Sequence, residues 1–235
     1  RLHRLNEKIA FPKSDRLLEN VGGILFFTAN DGVNGVELWK SDGTGEGTVL
    51  VADSNPESAS SSPASLVDVN GTLFFTANDG VHGIELWKSD GTDEGTMLVR
   101  DIRTGSLTSG PTNLVNVGGT LFFTATDGAS GIELWRSDGT EAGTAMVRDI
   151  RPGSGSSNRR GLTAVNGMLS FVADDNIHGF ELWRSDGTEE GTVLVKDIRT
   201  GTLPSNPANL VNLDGTLFFS AYDGINGIEL WQSDG

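Results

Sequence analysis

Apolar positions along this chain come in short bursts that repeat in register. In residues 66–102, Leu66-Val67-Asp68-Val69 alternates and stops at Asn70-Gly71, the strongest short-range hairpin signal. Thr72-Leu73-Phe74-Phe75-Thr76-Ala77 follows, apolar on consecutive positions as a strand covered on both faces should be. Asp79-Gly80-Val81-His82-Gly83 closes it with a glycine-bracketed turn. A third strand is predicted at 84–89, and Asp90-Gly91-Thr92 and Gly95 separate it from a fourth at 96–102. The polar stretch 103–111 then leads to the next alternating run, Leu114-Val115-Asn116-Val117, and reads as a crossing from an outer strand to the next inner one.

The whole phrase recurs. The five tryptophans stand at Trp39, Trp87, Trp135, Trp183 and Trp231, each 48 residues from the next. The same motif surrounds each, at 36–43, 84–91, 132–139, 180–187 and 228–235. Four-strand units of this length with one long connection are the sequence form of a propeller blade. A parallel β-helix is the runner-up, but its coils rarely hold three hairpin turns apiece. The predicted fold is an all-β propeller of five blades, each of four antiparallel strands, forming one domain over residues 1–235. The register places Arg1–Leu5 as a fourth strand beside residues 228–233, so that the terminal strands close the ring and leave no long edge. The start at Arg1 and the stop inside a motif at Gly235 read as a segment of a longer repeat protein.

Composition narrows the partners. A net charge of −15 repels nucleic acid and anionic membranes and favours cations and neutral partners. Without cysteine there is neither a disulfide framework nor a thiolate site. No apolar run reaches the ~20 residues that span a bilayer, so membrane insertion is not expected.

The phrase Glu-Leu-Trp-x-Ser-Asp-Gly-Thr, at 37–44, 85–92, 133–140 and 181–188 and truncated at 229–235, resembles the bacterial ELWxxDGT repeat family. The resemblance covers nearly the whole chain. It implies a part of a large secreted or surface-displayed bacterial protein, and names no substrate.

Candidate chemistry follows from the repeat. Glu37, Glu85, Glu133, Glu181 and Glu229 share a strand face with the tryptophan two residues on and are expected as buried acceptors. The tryptophans themselves are expected as wedges between adjacent sheets rather than sugar platforms. Asp42, Asp90, Asp138, Asp186 and Asp234 suit turn chemistry. Strand direction gathers the Asp-Gly-x-x-Gly turns and the crossings at one end of the blades. Calcium is the one cofactor considered, with Asp31, Asp79, Asp127, Asp175 and Asp223 as its candidate ligands. Ligand-binding candidates at that end are Arg103, Arg151 and Arg199 with the variable turn position, which reads Asn34, His82, Ser130, His178 and Asn226. Asn20, Asp68, Asn116, Ala164 and Asn212 share one register on the inner strands and are expected to line a polar channel.

Equal spacing of the blades means that no turn has been lengthened into a lid, and catalysis needs unlike residues converging at one point. The expected function is therefore a non-enzymatic extracellular or cell-surface module that binds a protein or glycan partner. The alternative is a lectin-like propeller with repeated shallow sites, and a hydrolase or lyase acting at the channel mouth, with Asp68 and the crossing arginines, ranks third.

Overall fold

A computed structural model describes Ala10, residues 18–157 and residues 160–234. These residues contain strands and turns and no helix. The first sheet comprises β1 (Leu18–Val21), β2 (Ile24–Asn30), β3 (Val36–Ser41) and β4 (Val49–Ala52). The second holds β5 (Ala64–Val69), β6 (Thr72–Asn78), β7 (Ile84–Ser89) and β8 (Met97–Arg100). The third is β9 (Thr112–Val117), β10 (Thr120–Thr126), β11 (Ile132–Ser137) and β12 (Ala145–Arg148). The fourth is β13 (Arg160–Val165), β14 (Met168–Asp174), β15 (Phe180–Ser185) and β16 (Val193–Lys196). The fifth has three strands, β17 (Ala208–Leu213), β18 (Thr216–Tyr222) and β19 (Ile228–Ser233). Each sheet runs antiparallel in sequence order, the blade pattern of an all-β propeller. The expected pairing of Arg1–Leu5 with β19 lies outside the described residues.

Local chemistry explains the strand boundaries. Asn70 and Gly71 take φ of 53° and 85°, the left-handed pair that a two-residue hairpin matched to strand twist requires. The fourth strand of the repeat ends at Arg100, two residues earlier than the pattern predicts. There the chain turns aside because the Ile102 amide donates to the Glu85 carboxylate, at 3.1 Å, instead of joining the ladder.

The chain divides into two compact units, Arg1–Leu114 with Gly139–Glu141, and Val115–Asp138 with Ala142–Gly235. In the first unit one apolar cluster joins Val21, Phe26, Leu38 and Val51 of the first sheet to Leu66, Leu73, Phe75, Ala77 and Trp87 of the second. The second unit repeats this packing, setting Val117, Phe122, Leu134, Val147 and Ile150 against Leu169, Phe171, Ala173 and Trp183. Trp87 and Trp183 are thus the wedges between consecutive sheets.

Candidate functional site

The glutamates of the repeat are latches. Glu85 is fully buried and accepts from the Ile102 amide at 3.1 Å, the Ser109 amide at 2.8 Å and the Ser109 hydroxyl at 2.6 Å. Glu37 holds Ser54 and Ser61 in the same way, Glu133 holds Ile150 and Ser157, and Glu181 holds Ile198 and Ser205. Each carboxylate therefore pins the crossing that leaves its own sheet. Burial pushes Glu37, Glu85 and Glu181 above the ordinary carboxylate range, against the opposing pull of the serine donors. The pinned crossing also reaches the next sheet, since the carbonyls of Ser61, Ser157 and Ser205 accept from the amides of Asn78, Asp174 and Tyr222. Glu229 is exposed.

At the adjoining turns, Asp79 Oδ1 accepts from the Val81 and His82 amides, while Oδ2 meets His82 Nδ1 at 2.6 Å. Asp31, Asp175 and Asp223 cap their turns in the same way, with Asn34, His178 and Asn226 on the second oxygen, and Ser130 reaches Asp127 at 3.3 Å. The variable position thus varies among side chains that can donate to one carboxylate. Among the described residues no group of three or more histidine or carboxylate side chains is placed to hold a metal ion. Asp42, Asp90 and Asp186 cap their own turns through the amide and hydroxyl of Thr44, Thr92 and Thr188.

The turn histidines carry a pH dependence. The hydrogen bond to Asp79 raises His82, and that to Asp175 raises His178, above the ordinary value of 6.5. Burial works against ionisation of Asp79 and Asp175, but the amides and the histidine outweigh it and hold both carboxyls low. A folded pKa above the unfolded one gives stability that is complete below the unfolded pKa and lost as pH rises through the folded pKa. The melting temperature is therefore expected to fall slightly between pH 6 and pH 8.5, roughly the range above an unperturbed histidine. Replacing both histidines by the asparagine of the first and fifth repeats should flatten that slope; an undiminished slope would refute the assignment.

The three crossing arginines do different things. Arg103 braces its own crossing through the Thr108 carbonyl at 3.4 Å. Arg151 bridges to the next sheet, donating to Asp174 Oδ2 at 2.9 Å and Asn176 Oδ1 at 3.1 Å. Arg199 lies over the Tyr222 ring, 4.8 Å from its centroid. On the inner strands, the side-chain oxygens of Asn20, Asp68, Asn116 and Asn212 accept from Gly23, Gly71, Gly119 and Gly215, capping the hairpins.

The fourth repeat departs from the others, and several of its departures meet at one place. Arg160 stands where the second, third and fifth repeats have Ala64, Thr112 and Ala208, and Gly161 where they have Ser65, Asn113 and Asn209. Phe180 replaces Val36, Ile84, Ile132 and Ile228, and Asn176 replaces glycine. Pro204 replaces Ser60, Thr108 and Ser156, whose hydroxyls accept from the first amide of the third strand. The Arg160 guanidinium sits 4.9 Å from the Phe180 ring centroid and donates to Asn206 Oδ1 at 3.3 Å. On one side is a groove of about 460 Å³ lined by Arg160, Gly161, Val172, Asn206, Pro207 and Leu210, among others. Asp174, Asn176, Gly179, Phe180, Thr202 and Pro204 line a second, of about 340 Å³. Both fall within the range of small-molecule sites, roughly 300–1,000 Å³. The signal for this site was the comparison of repeats with one another, where five substitutions fall in one period.

No family model and no curated protein matches the sequence. Solved structures do share the fold. Puromycin hydrolase aligns at a TM-score of 0.52 and 15% identity over 90% of this chain and 34% of that one. A prolyl endopeptidase aligns at 0.50 and 13%, over 89% and 33%. The endo-arabinase of Bacteroides thetaiotaomicron aligns at 0.34 and 14%, over 97% of both. This chain thus spans about a third of the length of the first two. The first two are by name hydrolytic enzymes, which corrects the expectation of a non-enzymatic module: a fold of this kind occurs within such enzymes, and equal blade spacing is no argument against catalysis. The asymmetry that a site needs arises here by substitution within one repeat, without any change in turn length.

Proposed function

We propose that this chain is a glycan-binding β-propeller domain of a hydrolase, with its ligand seated on the fourth repeat. The observation that carries the reading is the gathering of repeat-breaking residues around two grooves. Their composition suits a sugar: Ala208 and Leu210 offer aliphatic surface to a ring face, and Asn206 and Arg160 offer hydrogen bonds to its substituents. Asp174 is the one carboxylate lining the grooves and is paired with Arg151. Cleavage by paired carboxylates needs a second such group, roughly 5–10 Å away. The grooves are therefore suited to binding rather than to cleavage by paired carboxylates. The resemblance to ELWxxDGT repeats supports a secreted or surface-displayed parent.

The test is a panel of neutral and acidic oligosaccharides, titrated calorimetrically against the domain and against Gly161→Asn. That substitution restores the residue of the third and fifth repeats, where asparagine adopts φ of 56°, close to the 66° of Gly161. Its Cβ would meet Leu210 at 3.6 Å, an ordinary contact, so the fold is retained while the groove is filled. Binding by the parent and its loss in the variant is the expected result; a parent that binds no member of the panel would sink the reading.

A further inference from the structure

We propose that the groove beside Arg160 takes a uronic acid residue, whose carboxylate pairs with the Arg160 guanidinium; this rests on the glycan reading above. The chain has 32 acidic against 17 basic side chains, so cationic groups that could answer an acidic ligand are in the minority. Among the described residues Arg160 makes no ion pair; its contacts are Asn206 Oδ1 and the Phe180 ring. A guanidinium has five N–H donors in a planar fork that matches a carboxylate, and Asn206 occupies one of them. Stacking on Phe180 fixes the plane of the fork without consuming its edges, which leaves it prepared for a bidentate partner. Arg151, one crossing away, shows the contrast, with Asp174 and Asn176 already on its two terminal nitrogens.

The rest of the groove fits a pyranose that bears such a group. Gly161 opens the wall where other repeats carry a side chain, Ala208 and Leu210 present aliphatic surface, and Asn206 places an amide next to Arg160. A neutral sugar would satisfy the aliphatic surface and the amide but leave the guanidinium unanswered. The acidic surface opposes a polyanion at long range, and salt screens that repulsion beyond about 8 Å at 0.15 M, while a direct contact persists. The charged site therefore selects by contact and not by field, and its affinity should hold or rise modestly as salt increases from low values.

The probe is trigalacturonate, titrated at about 0.15 M salt beside its methyl ester, a neutral xylotriose and a short peptide with a free carboxylate. The parent is expected to bind the acid at least tenfold more tightly than the ester. Arg160→Ala, which restores the alanine of the second and fifth repeats and so keeps the fold, should bring the acid down to the level of the ester. Equal binding of acid and ester, or an unchanged preference in Arg160→Ala, overturns the inference while the glycan reading stands. Binding of the peptide alone, or of no saccharide, overturns both.

Discussion

Glu85→Ala is expected to destabilise the protein by roughly 3 kcal/mol or more, because it strands three donors in a fully buried site, at about 1–3 kcal/mol for each buried unsatisfied group. The Ile102 amide, the Ser109 amide and the Ser109 hydroxyl all end on this one carboxylate. The fifth repeat supplies an internal control. Glu229 occupies the same place in the motif and is exposed, so Glu229→Ala should stay within about 0.5 kcal/mol of the parent, as surface changes usually do. Urea unfolding of both variants reads the difference. Equal losses would mean that the carboxylate is dispensable to the crossing and that its conservation of position from repeat to repeat has another cause.

Phe171→Ala is the second large effect. The ring is fully buried in the cluster that joins the third and fourth sheets, beside Leu134, Leu169 and Trp183. Truncation of a buried phenylalanine costs about 3–5 kcal/mol, the transfer term plus the cavity left behind. The neighbouring strands are tied in register, with Phe171 opposite Trp183, so little collapse into the void is expected. The urea midpoint should fall with the slope unchanged. A loss under about 1 kcal/mol would show that the sheets can close the gap.

The architecture was legible because two periodicities coincide. Strand alternation set the faces, the 48-residue period set the blade, and Asn70-Gly71 fixed the hairpin register without any knowledge of contacts. The buried role of Glu37 and its equivalents was legible from alternation too, since each lies on the tryptophan face. Their partners were not, because a serine 24 residues downstream is brought back by a crossing whose path no local pattern specifies. The recurrence of Ser61, Ser109, Ser157 and Ser205 at that offset was the available signal. The variable turn position shows the opposite limit. Asn34, His82, Ser130 and His178 look like drift or specificity in sequence, and share a single task in three dimensions, donation to the capping aspartate. The grooves escaped because they lie where repeats differ, while a search for motifs rewards what repeats share. Arg160, Gly161 and Phe180 are informative because they do not match their counterparts in the other repeats.

The glutamate latch has a consequence for how the molecule opens. The crossings through Ser61, Ser157 and Ser205 are each tied backward to the sheet they leave by a carboxylate and forward to the sheet they enter by a serine carbonyl. Neighbouring sheets therefore communicate through a shared segment, and loosening one crossing weakens an edge on both sides of it. Stability in such a chain is a sum of unit terms and nearest-neighbour couplings. Amide exchange should then report coupled openings: the amides of Ser205 and Tyr222 are expected to exchange together, at one common free energy, although seventeen residues separate them in sequence.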